Sequence, residues 1–414
     1  MSQGTDRRLG NLCAIAAVLT ASCNLACTYC YQNAKRPRRM NWDTLKAAID
    51  LLLGSDRGEV VLTFYGGEPL LEFGLVRRAI EYVESSRPAG LLVRYWLLTN
   101  GTLLTADRAA FLAGHRVRTQ ISLDGVAAAQ GRRGLGTIAV LDRLLDRLRQ
   151  DHRRWYREDL SISMTVAPQT VEHLADGIDH LLARRVQNIG FSPVLTDTSE
   201  WRVEEIESLR GEFGRAFESS LRHYRRTNEI PVEVFRRHEG NPSTGAGERA
   251  MCKATRGDEL AVDVDGQVYG CAMFAESYQD FPGEFLRDRV RTLRLGHIGS
   301  PDFAERLASY PSAVRKTEIF HDKEKKHSSY GLCSDCRYLE RCQICPVAIG
   351  HIPGNADPRR IPDFLCAFNL VYNEYRDRFP AQPNRRTALE QFLDLTPSPG
   401  NLRTLAKTLA RPRS

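Results

Sequence analysis

The sequence predicts an α/β protein: a parallel sheet with helices outside it, followed by a smaller cysteine-rich region. Short apolar runs rich in Val, Ile, Leu and Tyr alternate with amphipathic stretches of helical spacing from position 14 to position 224. Polar residues and glycines fall where those runs close, which is where a strand–helix array opens its ligand site. At 414 residues with 42% hydrophobic content, the chain exceeds one core and has ample apolar surface for a second.

The elements follow in order. Runs at 14–19, 60–65, 91–98, 117–122, 160–166 and 188–194 are short enough and apolar enough to be buried strands. Between and after them, 41–53, 73–84, 106–112, 138–149, 171–183 and 203–224 repeat apolar residues every three or four positions, as a helix with one buried face does. Asn41 and Thr105 are placed to cap two of these helices, because their side-chain oxygens can accept from the free amides of a first turn. Six βα units of this kind make a parallel sheet.

No run approaches the about 20 apolar residues of a membrane helix, and the N-terminus lacks a signal-peptide core, so the chain is expected in the cytoplasm. That compartment also keeps thiols reduced. The formal charge of +7 hints at acidic partners, but the arginines sit on helices with as many carboxylates and read as solvated faces. The basic stretch 403–414 raises RNA as a partner, yet reads better as a frayed terminus, and nucleic acid is not expected.

Ten of the 11 cysteines form two groups. Cys23, Cys27 and Cys30 lie in one short loop, too close and too odd in number for a disulfide framework. Zinc wants a fourth ligand, and no histidine lies near 20–34. A four-iron cluster held by three thiolates would keep one iron open to a ligand. A loop of free thiols, or a distant fourth ligand, is the blander alternative. The second group is Cys252, Cys271, Cys333, Cys336, Cys342, Cys345 and Cys366. Within it, 263–271 reads as strand, Asp-Gly turn and strand. The pairs Cys333-x2-Cys336 and Cys342-x2-Cys345 also suit a zinc ribbon, although seven cysteines leave a remainder after zinc tetrads. Cys13 is expected to be a core thiol.

Cys23-x3-Cys27-x2-Cys30, with Tyr29 before the last cysteine, resembles the cluster loop of the radical S-adenosylmethionine (radical SAM) superfamily. Tyr65-Gly66-Gly67-Glu68-Pro69 is similar to that family's Gly-Gly-Glu segment, and Asn100, Ser122 and Asp124 close the third and fourth runs. Singly, these glycine and Asn-Gly pairs are ordinary turn signals. The resemblance implies an open (β/α)6 TIM-like barrel with a [4Fe-4S] cluster on Cys23, Cys27 and Cys30. It implies S-adenosyl-L-methionine held by its amine at Gly66, Gly67 and Glu68. Its adenine would lie near Tyr29 and Ile189, and its ribose or carboxylate near Asn100, Ser122 and Asp124. A flavodoxin- or ferredoxin-type electron donor is implied as a partner.

The second cysteine group resembles the SPASM extension of radical SAM peptide-modifying enzymes, which holds two auxiliary four-iron clusters. Three [4Fe-4S] clusters are therefore expected in all. The resemblance gives Cys333, Cys336, Cys342 and Cys366 to one auxiliary cluster and leaves Cys252, Cys271 and Cys345 for the other, with an open iron or an unidentified fourth ligand. Two residues separate Cys342 from Cys345 where the family has three, which bears on how Cys345 ligates. The implied domains are 1–235 for the barrel, 236–375 for SPASM and 376–414 for a helical, basic tail. The implied activity is a crosslink, thioether or carbon–carbon, or an oxidation in a ribosomally synthesised precursor peptide. About a dozen residues precede the first run, so leader recognition is expected from a separate leader-binding protein or from the barrel and SPASM surfaces. The sulfatase-activating branch has Asp after the cysteine matching Cys271, where this chain has Ala272, which disfavours formylglycine chemistry. Two other readings stand beside this one: a radical SAM dehydrogenase of a small molecule, and a non-enzymatic iron–sulfur or zinc protein that senses redox state or binds RNA. The Gly-Gly-Glu segment counts against the latter. No residue is singled out as the catalytic base.

Overall fold

The computed structural model describes residues 11–195, 201–236, 254, 256–277, 280, 291, 293–315, 323–350, 352 and 355–380. The six apolar runs become parallel strands β1 (Ala14–Thr20), β2 (Glu59–Gly66), β3 (Leu92–Thr99), β4 (Arg118–Ser122), β5 (Leu160–Val166) and β6 (Ile189–Pro193), each within two residues of its expected bounds. They pair in chain order, β1 with β2 through to β5 with β6. The architecture is the α/β partial barrel expected of the sequence.

The connecting helices are α1 (Trp42–Leu53), α2 (Phe73–Ser86), α3 (Ala106–Gly114), α4 (Ala127–Gln130), α5 (Thr137–Asp151), α6 (Arg153–Glu158), α7 (Leu174–Ala183) and α8 (Val203–Thr227). Both predicted caps form: the Thr44 amide donates to Asn41 Oδ1 at 2.8 Å, and the Arg108 amide to Thr105 Oγ1 at 3.4 Å. Leu45, Ile49 and Leu52 of α1 and Val76, Ile80 and Val83 of α2 bury against Ile15, Leu62, Phe64, Val93 and Leu97 in one core. At roughly 25 cal/mol per Å2, this apolar burial is the main force fixing each helix to the sheet.

The sheet does not stop at β1. A seventh strand, β7 (Glu259–Val262), adds in parallel to the free edge of β1, with Ala14 opposite Glu259 and Ala17 opposite Val262. The expected hairpin follows: β7 turns through Asp265-Gly266 into antiparallel β8 (Gln267–Tyr269), and β9 (Arg294–His297) completes a nine-stranded sheet. Gly266 has φ +83 and donates its amide to Asp263 O at 2.9 Å, a turn geometry that suits glycine.

Helices α9 (Phe303–Arg315), α10 (Pro346–Gly350) and α11 (Asp363–Arg378) come from the cysteine-rich region. Helix α11 runs past position 375 and packs along α8, where Phe191, Phe213, Phe368 and Tyr372 form edge-on ring contacts with centroids 5.2 to 6.5 Å apart. Among the described residues no helix is long and apolar enough to cross a membrane. The basic stretch 403–414 lies outside the described residues.

Candidate functional site

The loop carrying Cys23, Cys27 and Cys30 leaves β1 at its carboxyl end and is clamped by the chain that follows it. Thr20 bridges Arg39, Ala21 donates its amide to Arg38 O at 2.9 Å, and the Ser22 hydroxyl donates to Arg36 O at 3.1 Å. Lys35 Nζ reaches back to Leu25 O at 2.8 Å, and the Cys30 amide donates to Cys27 O at 3.2 Å. All three thiols are half-buried. Burial pushes the Cys23 and Cys27 thiols up, and each also feels Cys30, so the three sulfurs share one electrostatic neighbourhood. Lys35 pulls both down, and Arg133 pulls Cys27 down. Thiols held up by burial and mutual repulsion want a cation to neutralise them as thiolates.

Gly66 and Gly67 let the end of β2 lie against this loop. Gly66 has φ +139, and a Cβ there would stand 2.4 Å from Thr20 O; a Cβ on Gly67 would stand 2.1 Å from Ser22 O. The amides of Gly67 and Glu68 donate to Thr20 O and Ser22 O at 2.8 and 2.9 Å. The close approach these glycines permit is therefore made by the chain's own cysteine loop.

The Glu68 side chain turns inward. It is fully buried, and it accepts from Thr99 Oγ1 at 2.7 Å and from the Leu70 and Asn100 amides at 2.9 and 2.7 Å. Burial raises its pKa, and those donors pull it back. Asn100 carries the connection onward: its Nδ2 donates to Asn24 Oδ1 at 2.9 Å and lies 3.8 Å from Cys23 Sγ. The ends of β1, β2 and β3 are thus tied together around the first thiol.

Asp124, just beyond β4, is the hub of the opposite wall. Arg133 meets it in a bidentate pair at 2.8 and 2.8 Å, the Thr165 amide donates to it at 2.8 Å, and the Tyr29 hydroxyl donates to it as well. The Arg133 guanidinium lies 5.3 Å from the Tyr29 ring centroid. Nothing in the run Gly131-Arg-Arg-Gly134 tells which arginine turns inward, so sequence reasoning missed it.

Three of the expected cofactor contacts lie below the surface. Glu68 and Ile189 are fully buried and Asp124 is 2% exposed. The two carboxylates are consumed by donors from neighbouring strands, and Ile189 packs in the core as the first residue of β6. Tyr29, Gly67, Asn100 and Ser122 keep partial exposure near the loop or at strand ends, whereas Gly66 is covered.

Of the second group, Cys333, Cys336, Cys342 and Cys366 line one cavity of about 500 Å3, together with Tyr330 and Ile344. Burial raises Cys333 to about 11 and Cys342 to about 12, and Cys342 feels the other three thiols. Ser328 Oγ donates to Cys366 Sγ at 3.1 Å, and Asn369 on α11 clamps both backbone groups of Gln343 at 2.9 and 3.0 Å. Cys271 and Cys345 are half-buried and do not line this cavity, and Cys252 lies outside the described residues. Burial raises the Tyr65 phenol, and so do Tyr31, Cys271 and Cys30, which sets Tyr65 between the first loop and Cys271. Cys13 is half-buried before β1, with its Sγ 3.0 Å from Asp258 O.

Among the described residues no three His, Cys, Asp or Glu side chains converge as tightly as one metal ion requires. A donor set made of soft thiols fits iron–sulfur ligation.

A sequence model of the radical SAM superfamily matches residues 17–205. The uncharacterized protein MJ0907 of Methanocaldococcus jannaschii is 29% identical over 204 residues, 48% of this chain and 70% of that protein. The cysteine-type anaerobic sulfatase-maturating enzyme of Clostridium perfringens (strain 13 / Type A) is 22% identical over 349 residues, 78% of this chain and 85% of that enzyme. Among solved structures, native anSMEcpe with bound AdoMet and Kp18Cys peptide aligns with a TM-score of 0.67 over 88% of this chain and 97% of that one, at 17% identity, which is a likeness of fold.

Proposed function

We propose that this chain, a radical SAM enzyme, abstracts a hydrogen from a ribosomally made peptide and so installs a crosslink or an oxidised residue. The observation that supports this most is the thiol loop of Cys23, Cys27 and Cys30 seated at the joined ends of β1, β2 and β3. These three residues would hold a [4Fe-4S] cluster. When bound, the cluster supplies the electron that cleaves S-adenosyl-L-methionine to methionine and an adenosyl radical. The chain's own part is orientation: Gly66 and Gly67 bring β2 against the loop, Glu68 ties β2 to β3, and Arg133 with Asp124 fixes Tyr29.

In this reading Cys333, Cys336, Cys342 and Cys366 hold a second cluster in their cavity, and Cys271 and Cys345, with Cys252, hold a third, which is the SPASM arrangement. A net two-electron oxidation needs an acceptor for the electron that hydrogen abstraction leaves on the substrate, and these groups would provide it. The sulfatase-maturating relatives, and the peptide bound to anSMEcpe, support a peptide side chain as substrate. Ala272 after Cys271 turns the reading from formylglycine towards a crosslink or another oxidation. Co-expression with a candidate precursor peptide tests it: the peptide should lose two hydrogens by mass spectrometry, and an unchanged mass across candidates with active enzyme counts against it.

Anaerobically reconstituted protein should carry about twelve iron and about twelve sulfide per chain, three clusters of four. One or two zinc ions with little iron would overturn the cluster assignment. Cys271→Ala should raise the ratio of S-adenosylmethionine cleaved to product formed by at least about tenfold, because a misplaced electron acceptor uncouples cleavage from product. An unchanged ratio removes Cys271 from the oxidation.

A further inference from the structure

Residues along the parallel strands alternate between two faces. Ile15, Leu62, Phe64, Val93 and Leu97 meet the helices and are fully or nearly buried in one core. Their neighbours Tyr65, Trp96, Leu98, Arg118, Gln120 and Ser163 take the other face, which stays partly accessible. Val18 and Tyr65 belong to a separate small cluster with Val264 and Ala275, so that face is bordered on one side by the cysteine-rich region.

A closed barrel fills its interior with side chains. Here Trp96, in the middle of β3, is 39% exposed, and Leu92 on the same face is 42% exposed. An indole and a leucyl side chain left uncovered on a concave sheet carry unused binding free energy. Arg118 on β4 is the register partner of Trp96 and is exposed, with no ion pair among the described residues. Arg94, by contrast, is paired with Glu59 at 3.3 Å. Among the described residues, one guanidinium without an ion pair therefore stands beside one open indole, while β4 and β5 add Gln120 and Ser163 as hydrogen-bonding groups. Trp96 lies three residues before Thr99 at the end of β3, about 10 Å at strand rise, so an extended chain seated on it reaches the cysteine loop.

Resting on the peptide reading above, we infer that this open face seats the substrate, and that Trp96 and Arg118 select an extended acidic segment with an aromatic side chain about three residues from the one that reacts. The indole receives the aromatic ring, and Arg118 pairs with the neighbouring carboxylate.

The test uses iron-loaded protein with S-adenosylmethionine and a pool of random, end-blocked peptides of about twelve residues, long enough to span the face. Bound peptides are identified by mass spectrometry. Wild-type protein should enrich sequences with Phe, Tyr or Trp close to Asp or Glu. Trp96→Ala should lower the aromatic enrichment about tenfold, and Arg118→Gln should abolish the acidic preference, which should also weaken in high salt for the wild type. Unchanged iron content and melting temperature show that both variants are folded. An unenriched wild-type pool, or variants that retain the wild-type preference, overturns the inference. Cleavage of S-adenosylmethionine by the same wild-type sample separates this outcome from failure of the radical SAM peptide reading, which would appear as no cleavage.

Discussion

Replacing Cys23, Cys27 and Cys30 together by Ala is expected to remove about four of about twelve irons and to abolish reductive cleavage of S-adenosylmethionine. The three thiols share one loop and one electrostatic neighbourhood. The cavity of Cys333, Cys336, Cys342 and Cys366 lies against α8 and α11, lined by Arg210 and Asn369, so its iron should persist. The loop itself should hold its path, because its clamps to Arg36 and Arg38 run through backbone groups and Ser22 and do not use the thiols. Iron and sulfide analysis, with quantification of 5′-deoxyadenosine, checks both halves. Full cleavage by the triple variant would refute the assignment of this loop.

Arg133→Met is expected to cost about 3–5 kcal/mol of stability, the usual penalty for removing one partner of a buried ion pair. Asp124 would be left 2% exposed with Thr165 and Tyr29 as donors and no counter-charge. Arg133 also loses its place over the Tyr29 ring, so the loop of Cys27 and Cys30 should loosen. Adding Asp124→Asn should recover part of the loss, since the uncompensated charge disappears, and this coupling separates electrostatics from packing. Denaturant midpoints at constant slope measure it. A loss below about 1 kcal/mol in the single variant would mean that the pair does not hold the wall together.

The six strands, their helices and the caps at Asn41 and Thr105 were legible because each rests on signals a few residues long: apolar period, chain polarity and a capping oxygen. The thiol groups were legible for the same reason, since cluster ligands in one loop are neighbours in sequence. What a motif residue does was less so. Glu68 and Asp124 stand where the motif expects them, yet their carboxylates turn inward because Thr99, Asn100, Thr165 and Arg133 present donors from neighbouring strands and loops.

By itself, then, the sequence determined the order and type of the barrel elements and the two cysteine groups, because local periodicity and spacing carry that information. Only the tertiary structure decided that β7 joins β1 across more than 200 residues, that Gly66 and Gly67 make room for the chain's own loop, and that Arg133 is the inward arginine. It alone also showed that Trp96 stays open beside Arg118. Each of these depends on which surfaces meet in space, and a pairing between distant segments leaves no periodic trace in either one.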